Sequence, residues 1–137
     1  MSEEDLVEVE LSRVVIQEKD DHQFIHLRER EGSNRSFPIV IGFNEAAEIN
    51  RKLRGLQAVR PLTHDLIGRV LDSLDTVVER IVISELRDST FYATLVLQSN
   101  GTQRLVDCRP SDAICIAVQT QAQIFVSKQV LDIVAPS

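Results

Sequence analysis

The chain has 137 residues, 43% of them hydrophobic and 26% charged, an ordinary composition for one globular domain that excludes disordered and fibrous classes. It holds two cysteines, no apolar run approaching ~18 residues and no basic-then-apolar leader after Met1, so a disulfide scaffold, a membrane span and a secretory signal are not expected and the cytoplasm is the expected compartment. The net charge of −6 with no Trp and 4% aromatics argues against sequence-blind binding of nucleic acid through a basic stripe or a base-stacking platform.

In chain order, Val7, Val9 and Leu11 alternate with acidic residues as in a half-buried strand, and the parity shift at Ser12-Arg13 before Val14 and Ile16 predicts a β-bulge. Asp20-Asp21-His22 reads as a turn and Phe24 to Leu27 as a returning strand. A second turn at residues 31–34 leads to Phe37-Pro38-Ile39-Val40-Ile41, where Pro38 demands an edge strand or a strand start. Asn44 is the expected N-cap of a helix with Glu45 and Glu48 in its first turn, Ala46, Ile49, Leu53 and Leu56 on one face, and Gly55 at its end. A further helix, with Thr63 as expected N-cap, carries the apolar stripe Leu66, Ile67, Val70, Leu71 and Leu74. Strands follow at 77–86, 90–98 and 103–108, with turns at Arg87-Asp88-Ser89 and Ser99-Asn100-Gly101. The next helix, with Ser111 as expected cap, runs to about Gln121 and is apolar nearly all round, so it should be the more buried. Ile124-Phe125-Val126 and a last helical turn through Val130 and Leu131 end the chain.

Shifting the chain by 67 positions places Arg13-Val14-Val15-Ile16 on Arg80-Ile81-Val82-Ile83, Asp21 on Asp88, Phe24 on Phe91, Asn44 on Ser111, Glu45 on Asp112, Ala46 on Ala113 and Ile49 on Ile116. There are eight identities in 37 ungapped positions. The expected fold is therefore α+β: a single compact domain, mostly antiparallel, with an internal duplication of a β-β-β-α unit (about 7–56 and 77–122) and an extra helix between the halves.

Phosphate-cradling loops, GxSxG and HExxH are absent from the sequence, and Cys108 and Cys115 read as free structural thiols. Three polar segments stand out. Arg60 to Leu66 sets His64 beside Asp65, an imidazole next to a carboxylate being the ordinary unit of general-base chemistry; capping explains Asp65 equally well. Glu85 to Ala93 carries Glu85, Arg87 and Asp88, for which a turn and surface ion pairs are the plainer account. Val106 to Ala117 carries Asp107, Arg109, Ser111 and Asp112 at a strand end and helix start. Carboxylates so placed suit Mg²⁺ or Mn²⁺, and the Arg109 fork suits phosphate; an Asp107–Arg109 salt bridge with Ser111 and Asp112 at the cap is the plainer alternative.

Together "FPIVIG", "RPLTHDL", "LRDSTFYA" and "DCRPSDAICIA", in this order and at these spacings, resemble the bifunctional nuclease domain family, over nearly the whole chain from about Leu6 to Leu131. Members of that family look like single α+β domains that often pair as dimers, and plant members are described as degrading both RNA and DNA. The resemblance implies a nuclease with His64, Asp65, Arg87, Asp88, Asp107, Arg109, Ser111 and Asp112 at motif positions, a nucleic-acid substrate and a homodimer. Ser89 stands where Gly is common, and Cys108 where Ala is usual.

Two functions remain open at this point. The first is metal-assisted phosphodiester hydrolysis. There Asp107 and Asp112, with Asp88, hold Mg²⁺ or Mn²⁺, His64 oriented by Asp65 acts as general base or acid, and Arg87 or Arg109 offsets transition-state charge. The second is a non-catalytic dimeric module that binds a protein or a small ligand, its polar motifs being caps, turns and salt bridges. A metal-independent acid–base enzyme ranks third, since it wants a second histidine and His22 and His26 lie outside the motifs.

Overall fold

In the computed structural model, which describes residues 5–17 and 19–136, the elements run in the order β1 (Leu6–Val15), β2 (Gln23–Glu29), β3 (Ser36–Ile41), α1 (Phe43–Leu53), α2 (Thr63–Ser73), β4 (Val77–Arg87), β5 (Thr90–Ser99), β6 (Thr102–Cys108), α3 (Pro110–Thr120), β7 (Gln123–Ser127) and α4 (Lys128–Val134). Hydrogen bonding joins the strands into one sheet, ordered β3-β2-β1-β7-β4-β5-β6. Each half is a three-stranded antiparallel meander. The late strand β7 fills the gap between them, antiparallel to β1 and parallel to β4. Pro38 lies on the edge strand β3, where its missing N–H costs no ladder bond. The α+β class and the mostly antiparallel sheet agree with the sequence reading.

The 67-residue offset recurs in the structure. The bulge expected at Ser12 is present, since the register shifts between Leu11 and Arg13, and its counterpart lies between Val78 and Arg80. Helices α1 and α3 are both 11 residues long and start 67 positions apart. The offset breaks at the second strand of each unit. Val15 pairs with Phe24, but Val82 pairs with Thr94, not with Phe91. The β4–β5 connection is a two-residue turn and the β1–β2 connection a longer loop, so an ungapped frame cannot span both hairpins. The halves share a plan; the structure does not establish duplication as its origin.

Helix α3 is buried on nearly every side, with Ser111, Ala113, Ile114, Cys115, Ile116 and Ala117 all inaccessible. It packs against α1, α2, β4, β5 and β7. Phe37 on β3 stacks on Phe91 of β5 with centroids 6.1 Å apart, although four strands separate β3 from β5 in the sheet. The sheet therefore curls strongly, bringing its two edges toward each other.

The three expected N-caps are each displaced. The cap residues are Gly42, Leu62 and Arg109, and Asn44, Thr63 and Ser111 lie inside the first turn. Each cap lacks a side-chain hydrogen bond, and each helix instead carries an acid at its third residue: Glu45, Asp65 and Asp112. A carboxylate there faces the unsatisfied N–H groups and the positive end of the helix dipole. The expected end of α1 is confirmed, because Gly55 takes a left-handed φ of +67° and its N–H bonds the Lys52 carbonyl at 3.2 Å.

Asp65 makes such a contact directly. It accepts the Leu62 N–H at 2.9 Å and Arg51 Nη2 at 3.1 Å, and it also pairs with Lys52 Nζ. The first turn of α2 is thereby fastened to the end of α1. The Lys52 contact first, then the Leu62 amide, hold the Asp65 carboxyl down at about 2, against the small opposing push of burial. The stripe expected on α2 is only half used. Ile67 and Leu71 pack on the core, but Leu66, Val70 and Leu74 are 55%, 46% and 63% exposed, because no element among the described residues lies over that side of α2. No helix among the described residues is long and apolar enough to cross a membrane.

Two predictions follow from this architecture. The β4–β5 turn is of the type I′ pattern, with Asp88 and Ser89 at φ of 49° and 64°. Ser89→Gly should raise thermal stability by about 0.5–1 kcal/mol in calorimetry, since Gly pays no left-handed penalty. Asp65, whose carboxyl is held below its free value of 3.8, contributes stability that is complete above about pH 4 and lost as pH falls toward 2. Asp65→Asn should cost about 1 kcal/mol at neutral pH and flatten the decline of Tm between pH 4 and 2.

Candidate active site

The first turns of α1, α2 and α3 open onto one cleft of about 680 Å³, lined by Asn44 and Glu45 of α1, Thr63 and His64 of α2, and Arg109 and Asp112 at the start of α3, with Glu48, Pro61, Leu62 and Leu66 completing the wall. Three helix N-termini thus direct partial positive charge at one hollow.

Asp112 is the centre of the arrangement. Its Oδ1 meets His64 Nε2 at 2.9 Å, and Arg109 grips the same carboxylate with Nε on Oδ2 at 2.9 Å and Nη2 on Oδ1 at 3.0 Å. An ionised carboxylate can only accept, so Nε2 of His64 donates in this bond, and in the neutral imidazole Nδ1 is the nitrogen left to accept a proton. Burial pushes the Asp112 carboxyl upward, but the bonds from Arg109 and His64 outweigh it and the net shift is downward. The acid is therefore ionised in the folded protein. His64 is also fixed through its backbone, because Gln119 Nε2 donates to the His64 carbonyl at 2.9 Å. Gly68 makes room for that amide: a Cβ there would lie 2.6 Å from Gln119 Nε2.

Arg109 caps α3 and its side chain is 63% exposed, so the guanidinium presents its remaining edge to solvent. Nη1 lies 3.6 Å from Glu45 Oε1. Glu45 and Asp112, equivalent under the 67-residue offset, thus flank one guanidinium from the first turns of two helices. The sequence reading did not count Glu45 among the site residues. Its alignment with Asp112 was the signal that could have found it.

The remaining candidates fall elsewhere. Asp65 does not orient His64; that role belongs to Asp112, because the helical turn sends adjacent side chains to different faces and Asp65 is taken by Lys52, Arg51 and the Leu62 amide. Ser111 is buried in the first turn of α3 and does not cap it. Asp107 is exposed on the edge strand β6 and forms no ion pair with Arg109, which is bound to Asp112. Glu85 and Arg87 pair with each other at 2.9 Å, and Arg87 lies 4.2 Å over the Tyr92 ring. Asp88 occupies the hairpin turn. None of Glu85, Arg87, Asp88 or Asp107 lines the cleft. The neighbouring Ser89 to Phe91 segment does border a second hollow that runs behind Arg109 and Glu45.

Among the described residues, the group with metal-ligand spacing is Glu48, His64 and Cys115, whose ligand atoms lie within 4.8 Å of one another; Asp88, Asp107 and Asp112 do not form such a group. Two features oppose a cation there. Arg51 already holds Glu48 with Nη2 on Oε1 at 2.6 Å. Burial, and then the Glu48 charge, push the Cys115 thiol up to about 12 in the metal-free protein, so a cation would first have to displace its proton. Burial does the same to Cys108, so both cysteines are the inert thiols expected.

Comparison with known proteins places this geometry in a family. The chain is 36% identical over 124 residues to an uncharacterized protein of Mycobacterium tuberculosis, covering 90% of this chain and 73% of that protein. It is 25% identical over 112 residues to bifunctional nuclease 1 of Oryza sativa and 26% identical over 110 residues to bifunctional nuclease 1 of Arabidopsis thaliana. Those alignments cover 80% and 78% of this chain but only 34% of either plant protein. The profile of the bifunctional nuclease domain matches residues 25–136, a span that contains every residue of the cleft, and the chain belongs to the bifunctional nuclease domain family.

Proposed function

We propose that this chain hydrolyses phosphodiester bonds of RNA, DNA or both. The observation that carries the reading is the His64–Asp112–Arg109 constellation at the meeting of three helix N-termini. A phosphate in the cleft would meet the exposed Nη1 side of Arg109, in place of its 3.6 Å contact with Glu45, and the helix ends, which favour an anion where negative charge builds up in the transition state. Nδ1 of His64 accepts a proton from the attacking water, and Asp112 stabilises the imidazolium that forms. The proton then returns to the leaving oxygen. Kinship with proteins named bifunctional nucleases supports the substrate class.

Charge in the cleft bears on the cofactor. Glu48 is held by Arg51, but Glu45 and Asp112 stand against the single guanidinium of Arg109 in the lining, so a polyanionic substrate brings unfavourable repulsion unless a cation accompanies it. We therefore propose that Mg²⁺ or Mn²⁺ enters with the substrate, where Glu45 and Asp112 would hold it together with phosphate oxygens and it would polarise the phosphate. Asp107 is not one of those carboxylates on the present geometry, since it lies on the exposed edge strand.

Cleavage of labelled single- and double-stranded RNA and DNA, with Mg²⁺, Mn²⁺ or EDTA, tests the reading. His64→Ala and Asp112→Asn, purified identically and shown to be folded, should each lose about 10²-fold or more in kcat, and Arg109→Lys should lose most of its activity because the planar fork is gone. Equal cleavage by all variants would point to a contaminant. No cleavage by any of them would leave the non-catalytic binding module.

The exposed row Leu66, Val70 and Leu74 on α2 supports a second proposal, a homodimer paired through this face. Light scattering should give twice the monomer mass for the wild type and the monomer mass for Leu66→Glu/Val70→Glu, a surface change that leaves the core alone.

A further inference from the structure

Beside the cleft, and sharing Pro61 with it, lies a third hollow of about 460 Å³. Its wall contains four cations, Arg51, Lys52, Arg60 and Arg69, against two carboxylates, Asp65 and Asp72. In a chain of net charge −6 this is a local reversal of sign. The cations divide into two pairs. Arg51 and Lys52, at the back, are neutralised by Glu48 and Asp65, and Arg51 also donates to the Leu56 carbonyl at 2.7 Å. Arg60 and Arg69, at the rim, are exposed and form no ion pair among the described residues. With the back pair neutralised, the rim pair stands against Asp72 alone in the wall and is available.

We infer that this hollow is a phosphate-binding subsite for a single nucleic-acid strand: the strand lies with its scissile phosphate in the cleft, passes over Pro61, and sets its next phosphates against Arg60 and Arg69. The inference rests on the phosphodiesterase reading and extends it to the polymer. A small anion would need only the cleft, whereas a strand repeats its charge and rewards a cationic hollow beside it. The wall of the hollow carries no aromatic ring, so bases have nothing to stack on. Recognition here is therefore of the backbone and is indifferent to sequence. The loop of residues 55–61, which forms one side, joins α1 to α2 and is anchored at both ends, by Arg51 to Leu56 and by Asp65 to Leu62. A strand consequently meets a prearranged wall.

The test compares two substrates of the intact protein. Bis(p-nitrophenyl) phosphate fills only the cleft, and a single-stranded oligonucleotide fills both places. For Arg60→Ala/Arg69→Ala, kcat/KM on the oligonucleotide should fall roughly tenfold more than on the small ester, almost all through KM. Oligonucleotide binding followed by fluorescence anisotropy should show a salt dependence of log K flatter by about 1.4, the value for two lost single-strand phosphate contacts at about 0.7 each. Arg104→Ala, which removes a charge from the far end of edge strand β6, should change neither quantity. The proposal is overturned if the double variant has the wild-type KM and salt slope, if both substrates lose equally, or if Arg104→Ala gives the same effect. If the wild type hydrolyses neither substrate, the phosphodiesterase reading fails separately. The anisotropy slope then decides the subsite alone: flattening in the double variant supports it, and an unchanged slope or no binding overturns it.

Discussion

Helix α3 has almost no face that can meet water. Its residues from Ala113 to Ala117 are all inaccessible, and a helix of that kind is stable only if other elements wall it in. Most of the architecture answers that demand. The sheet curls until Phe37 touches Phe91, α1 lies along α3, and α2 closes another side. Strand β7 follows α3 directly and threads back between β1 and β4, so the two meanders become one continuous surface.

This burial also makes the site. A helix held on every side has a fixed axis, and its first turn is the part that emerges. Asp112 sits on that turn with a carboxylate neither free nor fully enclosed, 26% exposed. Partial burial strengthens its bonds to His64 and Arg109, while the Arg109 side chain stays 63% exposed. The same logic applies to α1 and α2, whose first turns carry Glu45 and His64. Three helices that pack side by side near their starts bring polar N-terminal turns together, although each was selected by packing of the apolar turns that follow.

Much of the fold was legible because it depends on neighbours in sequence. Alternation at Val7, Val9 and Leu11, the parity slip at Ser12, the Asn100-Gly101 turn and the all-apolar character of α3 each report a local rule, and each appears in the structure. The caps were misplaced for an instructive reason. Asn44, Thr63 and Ser111 are good capping residue types, but Gly42, Leu62 and Arg109 mark where the chain actually turns. Each first turn carries an acid at its third residue instead, and Asp65 takes the Leu62 N–H directly. A rule that looks for one capping residue overlooks an arrangement in which the compensation comes three positions later. The face of α2 holding Leu66, Val70 and Leu74 read as core because periodicity reports apolarity, not what covers it.

Local chemistry also identified the segments that carry function, and it named His64, Arg109 and Asp112 among their residues. It paired His64 with the wrong acid. Asp65 adjoins it in the chain, yet successive side chains on a helix diverge by about 100°, and Asp65 turns to Lys52 and Arg51. Asp112 reaches the imidazole from 48 positions away, over a path set by the β4–β5–β6 meander and the docking of α2 on α3. Hydrophobic period, turn residues and helix-end chemistry act over a few residues and can be read from a string of letters. Which carboxylate meets which imidazole depends on strand register and helix packing, and those exist only once the chain has closed on itself.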